Sequence, residues 1–253
     1  MFRDFFGIGL VAKHLQTLQN ESTLILCTVL CVLACAISAY LLGSLNFAII
    51  ISGKQYRQDI REFGSKNAGM TNMMRTYGKK AAGFTLLGDA LKAVVSCLIG
   101  YAIFGQWGAY LSGLFCIIGH MFPLYYRFKG GKGVVTAAIT ILMCNPIVFA
   151  ILFLIFVLIV LFTKYISLGS VMCMLLYPVV LDRIDRSTLL NENPPSGSPY
   201  VIFAVLIMLL VVVKHWGNIK RLLSGTENKF SFKKSVKKPT EEPTMVENEK
   251  THH

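Results

Sequence analysis

Long apolar stretches alternate with short basic segments along the 253-residue chain. One stretch without a charged residue covers residues 22–53, and further apolar segments begin at residues 93, 133 and 165. Runs of about 18 or more apolar residues are typical of helices that cross a bilayer. The pattern therefore predicts an all-α integral membrane protein whose spans pack together as one unit.

Five spans follow directly from this pattern, at residues 24–51, 81–105, 110–126, 166–181 and 200–213. A tight turn at residues 106–108 would join the second span to the third. Residues 133–163 are 31 uncharged positions, about 46 Å as one helix at about 1.5 Å per residue. A bilayer core is only about 30 Å thick. Because Asn145-Pro146 interrupts the segment, it is either two short spans or one kinked helix.

The distribution of Lys and Arg favours two short spans. Residues 54–80 hold seven of these side chains, residues 127–132 hold three, and the segment from Lys214 onward holds nine, whereas residues 182–199 hold two. Basic residues concentrate on the cytoplasmic side of short loops. Only a split at Asn145-Pro146 puts all three basic segments on one side. The sequence thus predicts a seven-transmembrane-helix bundle with the N-terminus outside and the C-terminus cytoplasmic.

Composition limits the class of protein further. The chain is 54% hydrophobic and 15% charged, whereas soluble domains are about 25% charged. Its formal net charge of +12 suits anionic lipid or phosphate-bearing ligands, and the density of spans argues against nucleic acid. We predict an extracytoplasmic segment at residues 1–22, a seven-span domain at 23–229, and a polar, disordered cytoplasmic tail at 230–253.

The first basic loop combines flexible backbone, neutral hydrogen-bond donors and a guanidinium. Residues 59–75 read DIREFGSKNAGMTNMMR and include Ser65, Asn67, Thr71, Asn72 and Arg75. Such a mixture suits an oxyanion. An ordinary polar loop with turn residues remains the alternative.

The second basic loop carries paired glycines before a predicted helix. His120 precedes the loop, and Gly130, Gly131 and Lys132 stand at its end. Glycines at a helix N-terminus expose N–H groups and admit a phosphate, with Lys132 as a point charge. It is not a Walker A loop, because Gly133 follows Lys132 where Ser or Thr is required. Cationic anchoring beside the membrane is the alternative.

A third cluster, HWGNIKRLLSGTE, follows the last span. On a helix His215 and Asn218 share a face and so point at one ligand, although an interfacial His is the simpler interpretation. Ser167 and Ser170 add hydroxyl groups on the same side, with helix capping as the alternative. Within the second span, Asp89 and Lys92 are expected to face protein and to pair with each other or with a neighbour.

Three segments, GSKNAGMTNMMR, GHMFPLYYRFKGGKGVVT and HWGNIKRLLSGTE, resemble the three cytoplasmic motifs of the acylphosphate-dependent glycerol-3-phosphate acyltransferase family. The similarity extends over about residues 40–229, and the order of the motifs among the spans also fits. Three positions depart from the family pattern: Lys66 replaces a usual Gly, Met70 a usual Ala, and Asn46 a usual Pro. The change at Asn46 puts a kink of the first span in doubt, and Lys66 adds charge beside the site.

The resemblance implies transfer of a fatty acyl group from acyl phosphate to the 1-hydroxyl of glycerol 3-phosphate, giving lysophosphatidate and inorganic phosphate. It implies that the phosphate of acyl phosphate contacts Ser65, Gly130, Lys132, His215 and Asn218. Arg75, with Lys132, Ser167 and Ser170, would hold glycerol 3-phosphate. Further substrate-binding positions implied are Asn67, Thr71, Asn72, His120, Gly131, Arg221 and Glu227.

No metal and no covalent cofactor are expected, since a mixed anhydride is already activated and a substrate phosphate is thought to act as the base. The resemblance implies a bacterial inner-membrane protein with a cytoplasmic active site, supplied by a separate soluble enzyme that makes acyl phosphate. The acyltransferase class with a His-x-x-x-x-Asp pair is disfavoured, because Gln19, Tyr125 and Lys220 stand at the Asp positions. A transporter or channel for a phosphorylated anion, and a scaffold that has lost activity, are the remaining alternatives.

Overall fold

The computed structural model describes residues 9–15, 20–187 and 197–230, and these residues form helices and turns without a strand. Most of the predicted N-terminal segment and the predicted tail beyond residue 230 lie outside this part of the chain. The α-helices are α1 (Leu10–Leu15), α2 (Glu21–Ser44), α3 (Phe47–Tyr56), α4 (Met70–Tyr77), α5 (Lys79–Met121), α6 (Val134–Cys144), α7 (Pro146–Thr163), α8 (Ile166–Asp185), α9 (Val201–Lys214) and α10 (Trp216–Leu223).

Four helical stretches of the described chain are long and apolar enough to cross a membrane, at Glu21–Tyr56, Lys79–Tyr126, Pro146–Thr163 and Ile166–Asp185. The pair α9 and α10, bent by 60°, makes a fifth if it counts as one span. Large apolar side chains such as Ile25, Leu33 and Phe162 are exposed on these helices, as expected of surfaces that face lipid. The all-α membrane architecture is confirmed, and the number of crossings stays a prediction.

The long helix α5 is two antiparallel helices joined by a sharp turn. Phe104 and Gly105 leave the helical conformation, and Gly105 has φ of +59°, which glycine adopts without steric cost. Close contacts join Gly100 to Gly108, and Asp89 to His120 further from the turn, so the halves run in opposite directions. The predicted turn at residues 106–108 is therefore wrong by a few positions, because the sequence pattern did not single out Gly105.

The first span is broken near its C-terminal end. Leu45 and Asn46 separate α2 from α3, and the Asn46 side chain caps α3 by accepting from the Ile49 N–H at 3.2 Å. The same amide donates to the Ala68 carbonyl at 3.3 Å. The span is thus interrupted at Asn46 without the proline usual in the family, because an N-cap asparagine precedes the first residue of a new helix.

The segment at residues 133–163 divides at the dipeptide that the sequence indicated. Asn145 caps α7 by accepting from the Val148 N–H at 3.1 Å, and Pro146 occupies the first helical position. Pro is favoured there because that N–H has no intrahelical partner. The interpretation as one kinked helix is thus excluded, and α6 is an 11-residue half-length helix.

Candidate active site

A cavity of about 860 Å³ opens where the two basic loops meet the ends of α4, α6, α8 and α10. It is lined by 13 of the 15 predicted site residues, all except Gly130 and Gly131. Its polar end carries the loop and helix-end residues, and its other end continues between α6, α7 and α8. Three sequence segments that lie far apart in the chain therefore build one site.

We call residues 57–69, between α3 and α4, loop 1. The buried side chain of Asn72 organises it. The Asn72 amide donates to the carbonyls of Ile60, Phe63 and Asn67 at 3.2, 2.9 and 3.1 Å, and its Oδ1 accepts from the Ser65 N–H at 2.9 Å. With both ends of the amide occupied, Asn72 fixes the backbone that presents Ser65 and Asn67 to the cavity.

We call residues 122–133, between α5 and α6, loop 2, and its glycines serve close packing. The Gly130 N–H donates to the Met121 carbonyl at 3.3 Å, and the Gly131 N–H donates to the His120 carbonyl at 3.1 Å. A side chain at either glycine would collide with the end of α5. The expectation that these N–H groups face a phosphate is therefore corrected, because both are already bonded to α5.

Arg61, which lies in loop 1 and does not line the cavity, links loop 1 to loop 2 by hydrogen bonds. Its guanidinium donates to the Tyr126 and Lys129 carbonyls of loop 2, each at 3.0 Å. It also forms an ion pair with Asp59 at 2.6 Å. In the sequence, Arg61 is one of the seven basic residues at positions 54–80. The Asp59-x-Arg61 spacing was the available signal, but the carbonyl partners are more than 60 residues away.

A polar network crosses the cavity from loop 2 to the segment after α10. Lys132 donates to Asn218 Oδ1, and the Asn218 amide donates to Glu227 Oε1 at 2.6 Å. The same Glu227 carboxylate accepts from Ser167 at 2.8 Å and from Arg221 Nε at 2.7 Å. Glu227 thus fixes which end of the Asn218 amide faces Lys132.

The charge balance of the polar end is positive. The side chains that line the cavity include the cations Lys66, Arg75, Lys132 and Arg221 and the carboxylates Asp89 and Glu227, which leaves an excess of two positive charges. The pKa of Lys132 is lowered from 10.5 to about 8, chiefly by burial and also by the Arg221 and Arg75 charges, against the pull of Glu227. Burial also lowers the pKa of Arg75. A dianionic ligand would relieve this repulsion.

Glu227 stays ionised. Burial alone would raise its pKa, but the hydrogen bonds from Asn218, Ser167 and Arg221 outweigh burial and lower the pKa below 4.5. Arg75 differs from Lys132 and Arg221. Its guanidinium makes no hydrogen bond or ion pair within the described ranges, although it lines the cavity. It is therefore available to a ligand.

His215 is a neutral hydrogen-bond acceptor at the cavity. It stands between α9 and α10, and its Nδ1 lies 2.8 Å from the Val211 carbonyl. Because a carbonyl only accepts, Nδ1 carries the proton and Nε2 carries a free lone pair. Burial and the Lys132 charge lower the pKa of His215 to about 4. The predicted common orientation of His215 and Asn218 toward one space is confirmed.

Four helix N-termini that border the cavity have no side-chain cap. They are the starts of α4, α6, α8 and α10, at Gly69, Gly133, Tyr165 and His215. By contrast, Asn side chains cap α2, α3 and α7. Uncapped N–H groups and the positive end of the helix dipole attract anions. Ser167 does not cap α8, because its hydroxyl donates to Glu227, so the capping interpretation is wrong for this residue. Ser170 donates to the Ile166 carbonyl within α8 at 2.9 Å.

The other end of the cavity is a groove between three helices. Its apolar lining comes from Ala138 and Ile139 of α6, Phe149, Phe153 and Phe156 of α7, and Met174 of α8. Phe153 is 53% exposed, so the groove is open on the face of α7 that meets lipid. The cavity therefore joins a cationic, water-facing end to an apolar, lipid-facing end.

Comparison with known proteins decides the family. The model of the family described as "Glycerol-3-phosphate acyltransferase" matches residues 33–225. The chain belongs to the glycerol-3-phosphate acyltransferase family. A relative from Finegoldia magna is 38% identical over 77% of this chain and 93% of its own. One from Syntrophomonas wolfei is 39% identical over 85% of this chain and 100% of its own.

Solved structures support the same assignment. A crystal structure of PlsY, an integral membrane glycerol 3-phosphate acyltransferase, in its glycerol 3-phosphate form superposes with a TM-score of 0.70. It is 35% identical and covers 79% of this chain and 96% of its own. The lysophosphatidic acid form of PlsY gives a TM-score of 0.68 at 33% identity. The present chain is thus a membrane-embedded member of an acyltransferase family, as its motifs indicated.

Proposed function

We propose that the protein transfers a fatty acyl group from acyl phosphate to the 1-hydroxyl of glycerol 3-phosphate, releasing lysophosphatidate and inorganic phosphate in phospholipid biosynthesis. The observation that carries this proposal is the two-ended cavity. One end offers excess positive charge and uncapped helix N-termini to phosphate groups, and the other offers an apolar groove to an acyl chain. Both substrates bring a phosphate, and only the donor also brings a chain.

An acyl phosphate donor suits the residues present. Ser65 is the hydroxyl that the resemblance puts nearest the donor, but within the described residues its side chain has no hydrogen bond to a histidine that could activate it as a nucleophile. A mixed anhydride needs no such nucleophile, because its phosphate is a good leaving group. Positioning and charge stabilisation by Lys132, Asn218 and the helix N-termini are then sufficient.

We assign the donor phosphate to Ser65, Lys132, His215 and Asn218, and glycerol 3-phosphate to Arg75 with Lys132, Ser167 and Ser170. Arg75 is the cation free to make a two-pronged contact with phosphate oxygens. The lone pair on His215 Nε2 suits a hydroxyl donor, either a protonated phosphate or the glycerol 1-hydroxyl. Asn67, Thr71 and Arg221 line the same end, whereas Asn72, Gly130, Gly131 and Glu227 hold the site in shape.

We further propose seven crossings, with the N-terminus outside and the active site at the cytoplasmic face of a bacterial inner membrane. Beyond the four stretches that length and composition identify, the three further crossings would come from the division of α5 into two halves, from the short helix α6 and from the bent pair α9 and α10. A soluble enzyme that makes acyl phosphate would be the functional partner, and no nucleic acid is involved. A tag on the C-terminal tail should react only from the cytoplasmic side, and labelling from outside would refute this topology.

The deciding experiment uses the purified full-length protein in lipid nanodiscs. Palmitoyl phosphate and glycerol 3-phosphate are supplied, lysophosphatidate and phosphate are measured together, and palmitoyl-CoA is the parallel donor. Equal amounts of both products from palmitoyl phosphate alone would support the proposal. Product from palmitoyl-CoA instead would keep the acyltransferase and refute the donor. Flux of glycerol 3-phosphate in sealed vesicles without product would favour the transporter alternative.

A further inference from the structure

A buried charged cluster lies beneath the active site and is not explained by substrate binding. Lys92 and Asp89, three residues apart on the first half of α5, form an ion pair at 2.7 Å, and both side chains are 2% exposed. This confirms the predicted pairing. His120, at the end of the second half of α5, completes the cluster, with its Nδ1 3.0 Å from Lys92 Nζ.

Lys92 is the centre of this cluster. Besides Asp89 and His120, its ammonium group contacts the Gly43 carbonyl at 3.0 Å and the Leu45 carbonyl at 2.7 Å. These carbonyls belong to the broken end of α2, where no helical partner is available. A lysine buried at this depth costs free energy unless its contacts are satisfied. Here they join α2, both halves of α5 and the turn at Asn46.

Two groups of opposite charge meet at Nδ1 of His120. The ammonium group of Lys92 lies 3.0 Å from this nitrogen, and the Asp89 carboxylate lies 3.4 Å from it. Lys92 can only donate a hydrogen bond, and an ionised carboxylate can only accept one. The Nδ1 side of the His120 ring is therefore held between both members of the ion pair. His215 is held differently, with Nδ1 protonated toward the Val211 carbonyl.

The Nε2 side of His120 faces the point where the two loops meet. A side chain built at Gly131 would contact both His120 Nε2 and the Ala68 carbonyl, so loop 2 and loop 1 converge on this ring. Ala68 is also held by Asn46 at 3.3 Å. Gly131 directly precedes Lys132, and Ala68 directly follows Asn67. The position of the ring thus bears on both walls of the phosphate end.

We propose that Asp89 and Lys92 are positioning residues that act through His120 to set the separation of loop 1 and loop 2. Lys92 and Asp89 hold the Nδ1 side of the His120 ring between them. The ring then fixes the backbone beside Lys132 and opposite Asn67. The inference rests on the proposed function, because the loops are taken to hold the two phosphate groups. In this proposal Asp89 and Lys92 act on substrate only through His120.

Two variants and one control separate positioning from simple charge balance. Lys92→Met removes the ammonium group and leaves Asp89 as an uncompensated buried charge. The double variant Asp89→Asn with Lys92→Met removes both charges, which is far less costly than removing one. Ser96→Ala is the matched control. Ser96 is buried one turn further along α5 and donates to the Lys92 carbonyl at 2.8 Å.

For the double variant we expect a melting temperature above that of Lys92→Met and below that of the wild type, because the Gly43 and Leu45 carbonyls lose the donor that Lys92 provides. Its turnover per folded protein should be about 10- to 100-fold lower, since displacement of a substrate-holding group by about 1 Å can cost 100-fold. The KM for glycerol 3-phosphate should rise as well, and Ser96→Ala should keep both parameters. Recovery of stability and turnover together in the double variant would overturn the proposal.

A spectroscopic readout is independent of turnover. In protein with ¹⁵N-labelled histidine, assigned with a His120→Gln variant, the ring ¹⁵N shifts of His120 should change in Lys92→Met and in the double variant. Ser96→Ala should leave them unchanged. Unchanged His120 shifts in the double variant would refute the role of Asp89 and Lys92. If the wild type transfers no acyl group, the proposed function fails, while the ¹⁵N shifts still decide whether the ion pair holds the His120 ring.

Discussion

The charge state of Lys132 makes a quantitative prediction about pH. Its pKa of about 8 means that about nine-tenths of the side chain is charged at pH 7 and about one-tenth at pH 9. If the charged form binds phosphate, kcat/KM should fall about tenfold between these values. Substrate phosphate is already dianionic above pH 7, with its second pKa near 6, and His215, with a pKa of about 4, is neutral throughout. Lys132 is then the group expected to titrate.

The assay is initial phosphate release in nanodiscs from pH 7 to 9.5, with spontaneous hydrolysis of palmitoyl phosphate subtracted. Lys132→Arg is the matched variant, because a guanidinium stays charged across this range. The fall in kcat/KM should disappear in the arginine variant, even where the variant is slower because Arg and Lys differ in shape. A fall of the same size at the same pH in Lys132→Arg would refute the reasoning.

Binding without turnover gives a second test of the same prediction. Glycerol 3-phosphate affinity, measured by calorimetry without donor, should weaken above pH 8 in the wild type and stay constant in Lys132→Arg. The effect of rising pH on folding stability is opposite to its effect on binding. A lysine whose folded pKa lies below its unfolded value destabilises the fold while charged, so Lys132 makes the empty protein more stable as the pH rises through about 8. A stability maximum at lower pH from this group would contradict the assignment.

Three further predictions concern single substitutions. Arg75→Ala should raise the KM for glycerol 3-phosphate by about 10- to 100-fold, since a charge-assisted hydrogen bond is worth about 1.5–3 kcal/mol, and an unchanged KM would remove Arg75 from the site. Asn218→Ala should lower turnover without loss of folded yield, because it breaks the link between Lys132 and Glu227, and an equal loss of folded yield would indicate a structural role. Lys66→Gly should not lower the melting temperature, whereas Lys66→Val should, because Lys66 has a left-handed φ of +57° that disfavours β-branched residues.

The fold was predictable where local chemistry decides it. Asn145-Pro146 predicted a helix junction, and the structure has one because Asn caps and Pro begins a helix. The turn within α5 was placed a few residues late, because its position depends on the conformation of one glycine, Gly105. The break at Asn46 was left in doubt, since a capping asparagine and a helical asparagine look alike in sequence.

The candidate site was predictable as a set of residues and not as a set of roles. Three motifs identified side chains that line one cavity, because residues able to bind phosphate are chemically distinctive. The hydrogen bonds of the Gly130 N–H and of the Asn72 side-chain amide depend on the path of the backbone through two loops. The contact between Lys92 and His120 joins residues 28 apart in sequence, and it exists only because α5 folds back on itself. No periodic pattern carries that information.

The arrangement of the cavity also bears on how the products of the proposed reaction would leave. Inorganic phosphate would be released where Arg75, Lys132 and Arg221 face water, and its charge gives it no favourable path along the apolar groove. Lysophosphatidate keeps its chain between α6 and α7, where Phe153 is exposed on the lipid-facing side. A chain already among apolar side chains gains little by passing through water. The two ends of one cavity therefore separate the products by polarity, phosphate to water and lipid to the bilayer.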